Sequence, residues 1–163
     1  MGTPHTPLTP EGAVTGASAI VGADPDTVFR ALTDIAALPT WNARMTSVVE
    51  QPAVLEVGTD WVVEFEALGQ RWRSRSTVEE LDASRRRFAY RSRTDDGNPS
   101  YGRWTWQVDE DPEGCQVVVT WELHPVTFWR RVLLGRIRAR QLARTEVPAS
   151  LAALAAATDA TSG

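Results

Sequence analysis

Two arginines, Arg140 and Arg144, stand where a helical period calls for apolar side chains. At about 100° per residue the run from Val126 to Ala157 puts Trp129, Leu133, Ile137, Val147, Leu151 and Leu154 on one face. Arg140 falls about 20° and Arg144 about 60° from Trp129, inside that stripe and one turn apart. A guanidinium in a dry core is costly unless paired. The middle of this helix is therefore expected to face a carboxylate partner or a cavity that holds a ligand. In a cavity the two arginines would grip a carboxylate, phenolate or enolate oxygen through charge-assisted hydrogen bonds. The alternative is an internal ion pair with Glu146 or a sheet carboxylate, or a kink at Pro148 that turns this part of the stripe outward.

A second group of residues supplies a wall. Trp61, Phe65, Trp72, Phe88, Tyr90, Trp104, Trp106 and Trp121 all fall on strand faces that alternate inward, and seven tryptophans in one small chain is many. Ser74 and Ser76 lie between Trp72 and Val78 on such a face, where small hydroxyl residues leave space and hydrogen-bonding groups inside. An aromatic pocket with few polar groups suits a flat, largely apolar ligand. The alternative is that the rings simply fill the interior.

Other chemistries lack their residues. His124 is the one histidine outside the N-terminal stretch, and no nucleophile motif accompanies it, so a Ser-His-Asp triad has little to build on. The single cysteine, Cys115, excludes an internal disulfide and a cysteine-based zinc site, and reads as a small half-buried apolar residue. No metal site and no cofactor are expected, and glycine-rich phosphate loops are absent. A formal charge of −4 gives no basic field for nucleic acid, although all 17 basic residues are arginine. No apolar run reaches the roughly 18 residues of a membrane span, and the N-terminus lacks a basic segment followed by an apolar one. The chain is expected to be soluble and cytoplasmic, without stable membrane association, as a monomer or homodimer. The arginines of the long helix at 130, 131 and 138 fall on its solvent side.

The elements that must position these residues follow from the period. Residues 1–12 (MGTPHTPLTPEG) hold three prolines and read as a disordered tail, 13–157 as one folded domain, and 158–163 as a disordered end. A strand is expected over Val14 to Val21. Asp24-Pro25 then supplies an N-cap and a first-turn proline for a helix whose apolar side is Val28, Phe29, Leu32 and Ile35. Pro39 ends or turns it, with a short second helix around Pro39 to Ala43. Strands follow over Met45 to Val49, Asp60 to Ala67, Gln70 to Leu81, Arg87 to Arg93, Tyr101 to Val108 and Cys115 to Leu123. Turns fall at Leu68-Gly69, at Asp95 to Pro99 and at Asp109 to Gly114. Arg71, Arg73 and Arg75 should face solvent and pair across strands with Glu64 and Glu66. The sum is an α+β chain: a curved antiparallel sheet of six or seven strands around a long C-terminal helix.

Three features carry a family resemblance: Asp24-Pro25 before the first helix, Asp34 followed by Pro39 and Trp41, and the order of elements through STVEELDASRRRFAYR and GCQVVVTWEL to a terminal helix. In these the chain resembles the START-like (SRPBCC) superfamily, whose members include polyketide cyclases and dehydrases, lipid-transfer domains and plant ligand-binding proteins. The resemblance covers about residues 14 to 157 and implies a helix-grip fold with an internal cavity. It implies a hydrophobic or aromatic small-molecule ligand and either a cyclase- or dehydrase-like role in secondary metabolism or a carrier that sequesters the ligand. No catalytic motif is shared across the superfamily, so it assigns no catalytic residue. An enzyme of this kind would work by positioning the ligand, with acid or base help from Tyr90, Arg140, Arg144 or a cavity carboxylate.

Overall fold

The computed structural model describes residues 14–42, 44–67, 69–95, 100–124 and 147–161. The chain runs β1 (Val14–Val21), α1 (Pro25–Thr33), a 3-10 turn (Ile35–Ala37), α2 (Leu38–Trp41), β2 (Met45–Glu50), β3 (Asp60–Ala67), β4 (Gln70–Asp82), β5 (Arg87–Thr94), β6 (Tyr101–Asp111), β7 (Gly114–His124) and α3 (Val147–Thr161). The seven strands form one sheet in the order β1-β7-β6-β5-β4-β3-β2, antiparallel at every step. Consecutive strands are neighbours from β2 to β7, and β1 closes onto β7, so the hairpin alternation in the sequence maps directly onto the sheet.

α1 begins where the sequence places it. The Asp24 carboxylate accepts from the backbone N–H of Asp26 at 3.1 Å and of Thr27 at 3.2 Å, and from the Thr27 hydroxyl. Those bonds satisfy first-turn donors that have no partner within the helix. The Thr27 hydroxyl bond, above all, holds the Asp24 carboxyl below its ordinary value of 3.8. Val28, Phe29 and Leu32 are buried on one side of α1, and Ile35, Leu38 and Trp41 continue that surface through the 3-10 turn and α2. Together with Val108, Val117 and Val119 of the sheet and Leu151 and Leu154 of α3 they make the core.

Four readings of the sequence shift. β6 does not stop at Val108 but pairs on to Asp111↔Gly114, because Asp109, Glu110 and Asp111 keep their ladder positions while their side chains stay in water. Cys115 is fully buried, not half-buried, and burial pushes its thiol up. α3 passes the expected boundary at Ala157 by a turn, with Thr158 buried and its hydroxyl donating to the Leu154 carbonyl at 2.8 Å. On the outer face Arg71 meets Glu66 at 3.2 Å as expected, but Arg75 turns instead to Asp95 (3.1 Å), Glu50 (3.3 Å) and Asp60 (3.5 Å). Val147, Leu151 and Leu154 of the expected apolar stripe are buried, and the described turns of α3 pack on α1, α2 and β1. Arg140, Arg144, Trp129, Leu133 and Ile137 lie outside the described residues, as do Leu68 and residues 96–99 of the expected turns. No helix among the described residues is long and apolar enough to cross a membrane.

Candidate functional site

The face of the sheet that meets the helices is built from the alternate positions the sequence assigns inward. Cross-strand pairing runs one row of them over five strands: Trp61 opposes Ser76, Ser76 opposes Ser92, Ser92 opposes Gly102, and Gly102 opposes Leu123. The three central members have small side chains. Beside this row runs an aromatic one, in which Tyr90 opposes Trp104 and Trp104 opposes Trp121. On its other side lie Ser74 and Thr94, which oppose each other. Phe65 and Trp72 bound the floor further along β3 and β4, stacked at 5.6 Å and 13°. A row of hydroxyls and one glycine flanked by rings is the part of the inner face with the least side-chain volume, a shallow groove in which Ser76 and Gly102 are themselves buried and where a Cβ on Gly102 would meet Leu123 Cδ2 at 3.4 Å and Trp104 Nε1 at 3.5 Å.

The expected site residues divide into two groups by burial. Trp61 is 2%, Trp106 4% and Trp121 2% exposed, so these rings are used in packing. Trp61 stacks on Phe88 at 5.9 Å and meets Tyr90 edge-on at 4.9 Å, and Trp106 takes the edge of Trp41 at 5.6 Å and 85°. Phe65, Trp72, Tyr90 and Trp104, by contrast, keep part of their surface open, and so do Ser92 and Leu123 of the groove row. Trp104 stacks on Trp121 at 5.6 Å and keeps part of its surface exposed. Ser74 and Ser76 are buried as small hydroxyl residues on this face.

The polar groups are hydroxyls, which donate and accept, and indole N–H groups, which only donate. The Ser74 hydroxyl lies 2.6 Å from Ser92 Oγ and 3.2 Å from the Arg93 carbonyl. When Ser74 gives its proton to the carbonyl, Ser92 donates to Ser74, so this pair is satisfied. Trp106 Nε1 donates to the Tyr90 hydroxyl at 3.3 Å. Burial raises the Tyr90 phenol to about 12, partly opposed by the Trp106 bond, which keeps it a neutral O–H donor. The indole N–H groups of Trp41 and Trp121 are buried and meet no acceptor among the described residues. None of the inner-face residues named here carries a charge.

Three contributors escape a reading of the sequence as site residues. Ser92 follows Tyr90 in the alternation of β5, and Gly102 opens β6, but only the strand register places both beside Ser76. Trp41 reads as the residue towards which Pro39 ends or turns the first helix, and its contact with Trp106 depends on how α2 packs over the sheet.

Solved structures share this fold. A protein from Chromobacterium violaceum is 24% identical over 89% of this chain and 96% of its own, with a TM-score of 0.69. The di-domain ARO/CYC from the steffimycin biosynthetic pathway is 12% identical over 92% of this chain and 51% of its own, with a TM-score of 0.73. The Zhui aromatase/cyclase from Streptomyces sp. R1128 is 19% identical over 93% and 96%, with a TM-score of 0.65. No curated protein matches the sequence. The model of the family described as polyketide cyclase / dehydrase and lipid transport matches residues 13–158, nearly the whole chain from β1 through α3, and the protein belongs to that family.

Proposed function

We propose that the inner face of the sheet binds a flat, hydrophobic or aromatic small molecule, and that the protein is a cofactor-independent, cyclase- or dehydrase-like member of its family acting in the cytoplasm on an intermediate of secondary metabolism. The observation that carries this reading is the groove: Ser76, Ser92 and Gly102 in one row, flanked by Tyr90, Trp104, Phe65 and Trp72, which keep surface open on a face that helices otherwise cover. Stacking on such rings favours planar ligands. The aromatase/cyclase names of two solved structures with this fold point the same way. A second reading, a carrier that sequesters the ligand without turning it over, is favoured by the uncharged floor, which offers no carboxylate or imidazole base among its described residues.

The binding test uses the protein's own tryptophans. Titration with a hydroxyanthraquinone such as emodin should quench fluorescence along a saturating curve, and Trp104→Leu should weaken the binding. A linear, unsaturated response in both proteins would refute a bound complex. Enzyme and carrier are separated at Arg140 and Arg144, proposed from the helical period as anchors for an anionic oxygen. Methionine at either position keeps the stem and removes the charge. In an enzyme turnover falls more than affinity, because the contact strengthens in the transition state. In a carrier only affinity falls. Unchanged binding with lowered stability in both variants would make the arginines structural ion-pair partners.

A further inference from the structure

β1 is one edge of the sheet and β2 the other. An edge strand turns alternate backbone N–H and carbonyl groups outward, where a further strand can pair with them, and folded chains blunt such edges with charges, prolines or bulges. β2 is blunted: its pairing with β3 shifts register twice, between Met45 and Ser47 and between Val48 and Glu50, and it ends on a carboxylate. β1 has none of these devices. Its eight residues, VTGASAIV, pair with β7 from Val14↔Glu122 to Val21↔Cys115 without a bulge. Alone among the described strands it contains no charged residue. No backbone group on its outer edge has a backbone partner among the described residues.

We propose that β1 pairs antiparallel with β1 of a second copy of this chain, about a two-fold axis at Ser18, joining two sheets into one. Charge argues for this occupant. The convex face beside β1 is neutral as well, with Gln116, Val118 and Thr120 of β7 opposite Ile20, Ser18 and Gly16. The ion pairs of the described residues reach Glu122 and His124 at the end of β7 and include no residue of β1. A charged segment would find no counter-charge here, whereas a second copy sets no like charges opposite, in a chain whose net charge of −4 disfavours most other self-contacts. Shape agrees with charge. A two-fold axis normal to the sheet keeps both convex faces on one side and makes the contact self-complementary. Ser18 then faces the partner's Ser18, and Gly16 faces the partner's Ile20. Ile20 is 47% exposed, and Gly16 is the one position of β1 with no side chain to obstruct it. On the concave side Ala17 meets the partner's Ala19, two small residues that leave the strands free to approach.

Sedimentation velocity on the full chain, from about 1 µM to about 1 mM, should show the mean mass rising from one chain toward two. Ser18→Lys changes an exposed, outward position, so Tm should move by less than about 2 °C, while two ammonium groups meet at the axis and the dissociation constant rises at least about tenfold. Ser18→Cys reads the register without adding charge. Opposed residues of an antiparallel pair have Cα atoms about 4.5–5.5 Å apart, within reach of a disulfide, so mild oxidation should link two copies. Ser47→Cys, exposed on the edge strand β2, should not link, and Cys115 is fully buried and does not compete. A single chain at every concentration overturns the proposal. So does a dimer that Ser18→Lys leaves unchanged, or one that Ser47→Cys links as readily as Ser18→Cys. Slow hydrogen exchange along both edges of β1 in a chain that stays monomeric would assign the edge to the chain's own residues 1–12 and overturn it too.

Discussion

Alanine at position 114 should be among the most damaging single-methyl changes in this fold. Gly114 starts β7 with φ at +138°, and a Cβ there would lie 2.3 Å from the Val21 carbonyl oxygen, 2.8 Å from the Gly22 carbonyl carbon and 2.9 Å from the Ala23 carbonyl oxygen. All three neighbours are backbone of the link from β1 to α1, so no side chain can swing away. The Val21 oxygen would have to retreat by about 0.7 Å to reach the 3.0 Å that real Cβ contacts respect. It is held on one side by the Val21↔Cys115 register and on the other by Ala23 in the core and the Asp24 cap. Strain at this φ contributes about 1–3 kcal/mol and overpacking about 1–3 kcal/mol, so a loss of about 2–6 kcal/mol is expected. At about 2–4 °C per kcal/mol for a chain of this size, Tm should fall by about 5–20 °C. Gly58→Ala is the control: its φ is +91°, but nothing lies within 4 Å of the added methyl, so only conformational strain of about 1 kcal/mol applies. Urea unfolding followed by tryptophan fluorescence measures both. If Gly114→Ala costs no more than Gly58→Ala, the close approach of the β1 link to β7 is wrong.

Two further outcomes follow from the electrostatics. Asp24→Asn keeps a capping side chain and removes the charge; because the Asp24 carboxyl is held below 3.8 in the folded chain, the wild type's advantage should be present above that pH and vanish as pH falls through the lowered value, which Tm measured from pH 7 down to acid will show. A gap that stays constant with pH would remove the charge from the account. Arg75→Met leaves Asp95, Glu50 and Asp60 around an uncharged stem, and should cost about 1 kcal/mol in low salt, with urea midpoints converging on the wild type at about 1 M sodium chloride. A salt-independent difference would mean that Arg75 acts through packing alone.

The sequence made the fold legible wherever the argument was local. Period-two alternation marked β3, β4 and β7, and Asp24-Pro25 marked the start of α1, because a strand face and a helix cap are properties of neighbouring residues. The end of β6 is not legible in this way, since Asp109, Glu110 and Asp111 have the composition of a turn while ladder bonds do not depend on where their side chains point. The site was half legible for the same reason. Ser74 and Ser76 stood out within one strand, but Ser92 and Gly102 become their neighbours only through register. Alternation also put Trp61 and Trp106 on the correct face without telling filling from lining, which depends on the volume that Phe88, Tyr90 and Trp41 bring to the same space.

That division between filling and lining has a direction along the sheet. At one end β-branched residues dominate: Val108 and Val117 pair across β6 and β7, both nearly unexposed, under Val28 and Leu32 of α1. At the other end Gly102, Ser92 and Ser76 bring little side-chain volume to their row, and the rings of Tyr90 and Trp104 beside them stay partly exposed. Along β7 the two ends, Gly114 and Leu123, are about 30 Å apart at the rise of a strand. Changes that far apart with no shared contact are expected to add. The closed end can therefore carry the stability of the sheet while the open end varies its rings and hydroxyls to suit a ligand, with little exchange between the two demands. In that arrangement Gly114→Ala should lower the unfolding midpoint and leave the affinity of the remaining folded protein for a flat ligand unchanged, whereas Trp104→Leu should weaken that affinity beyond what its lost stacking on Trp121 costs in stability.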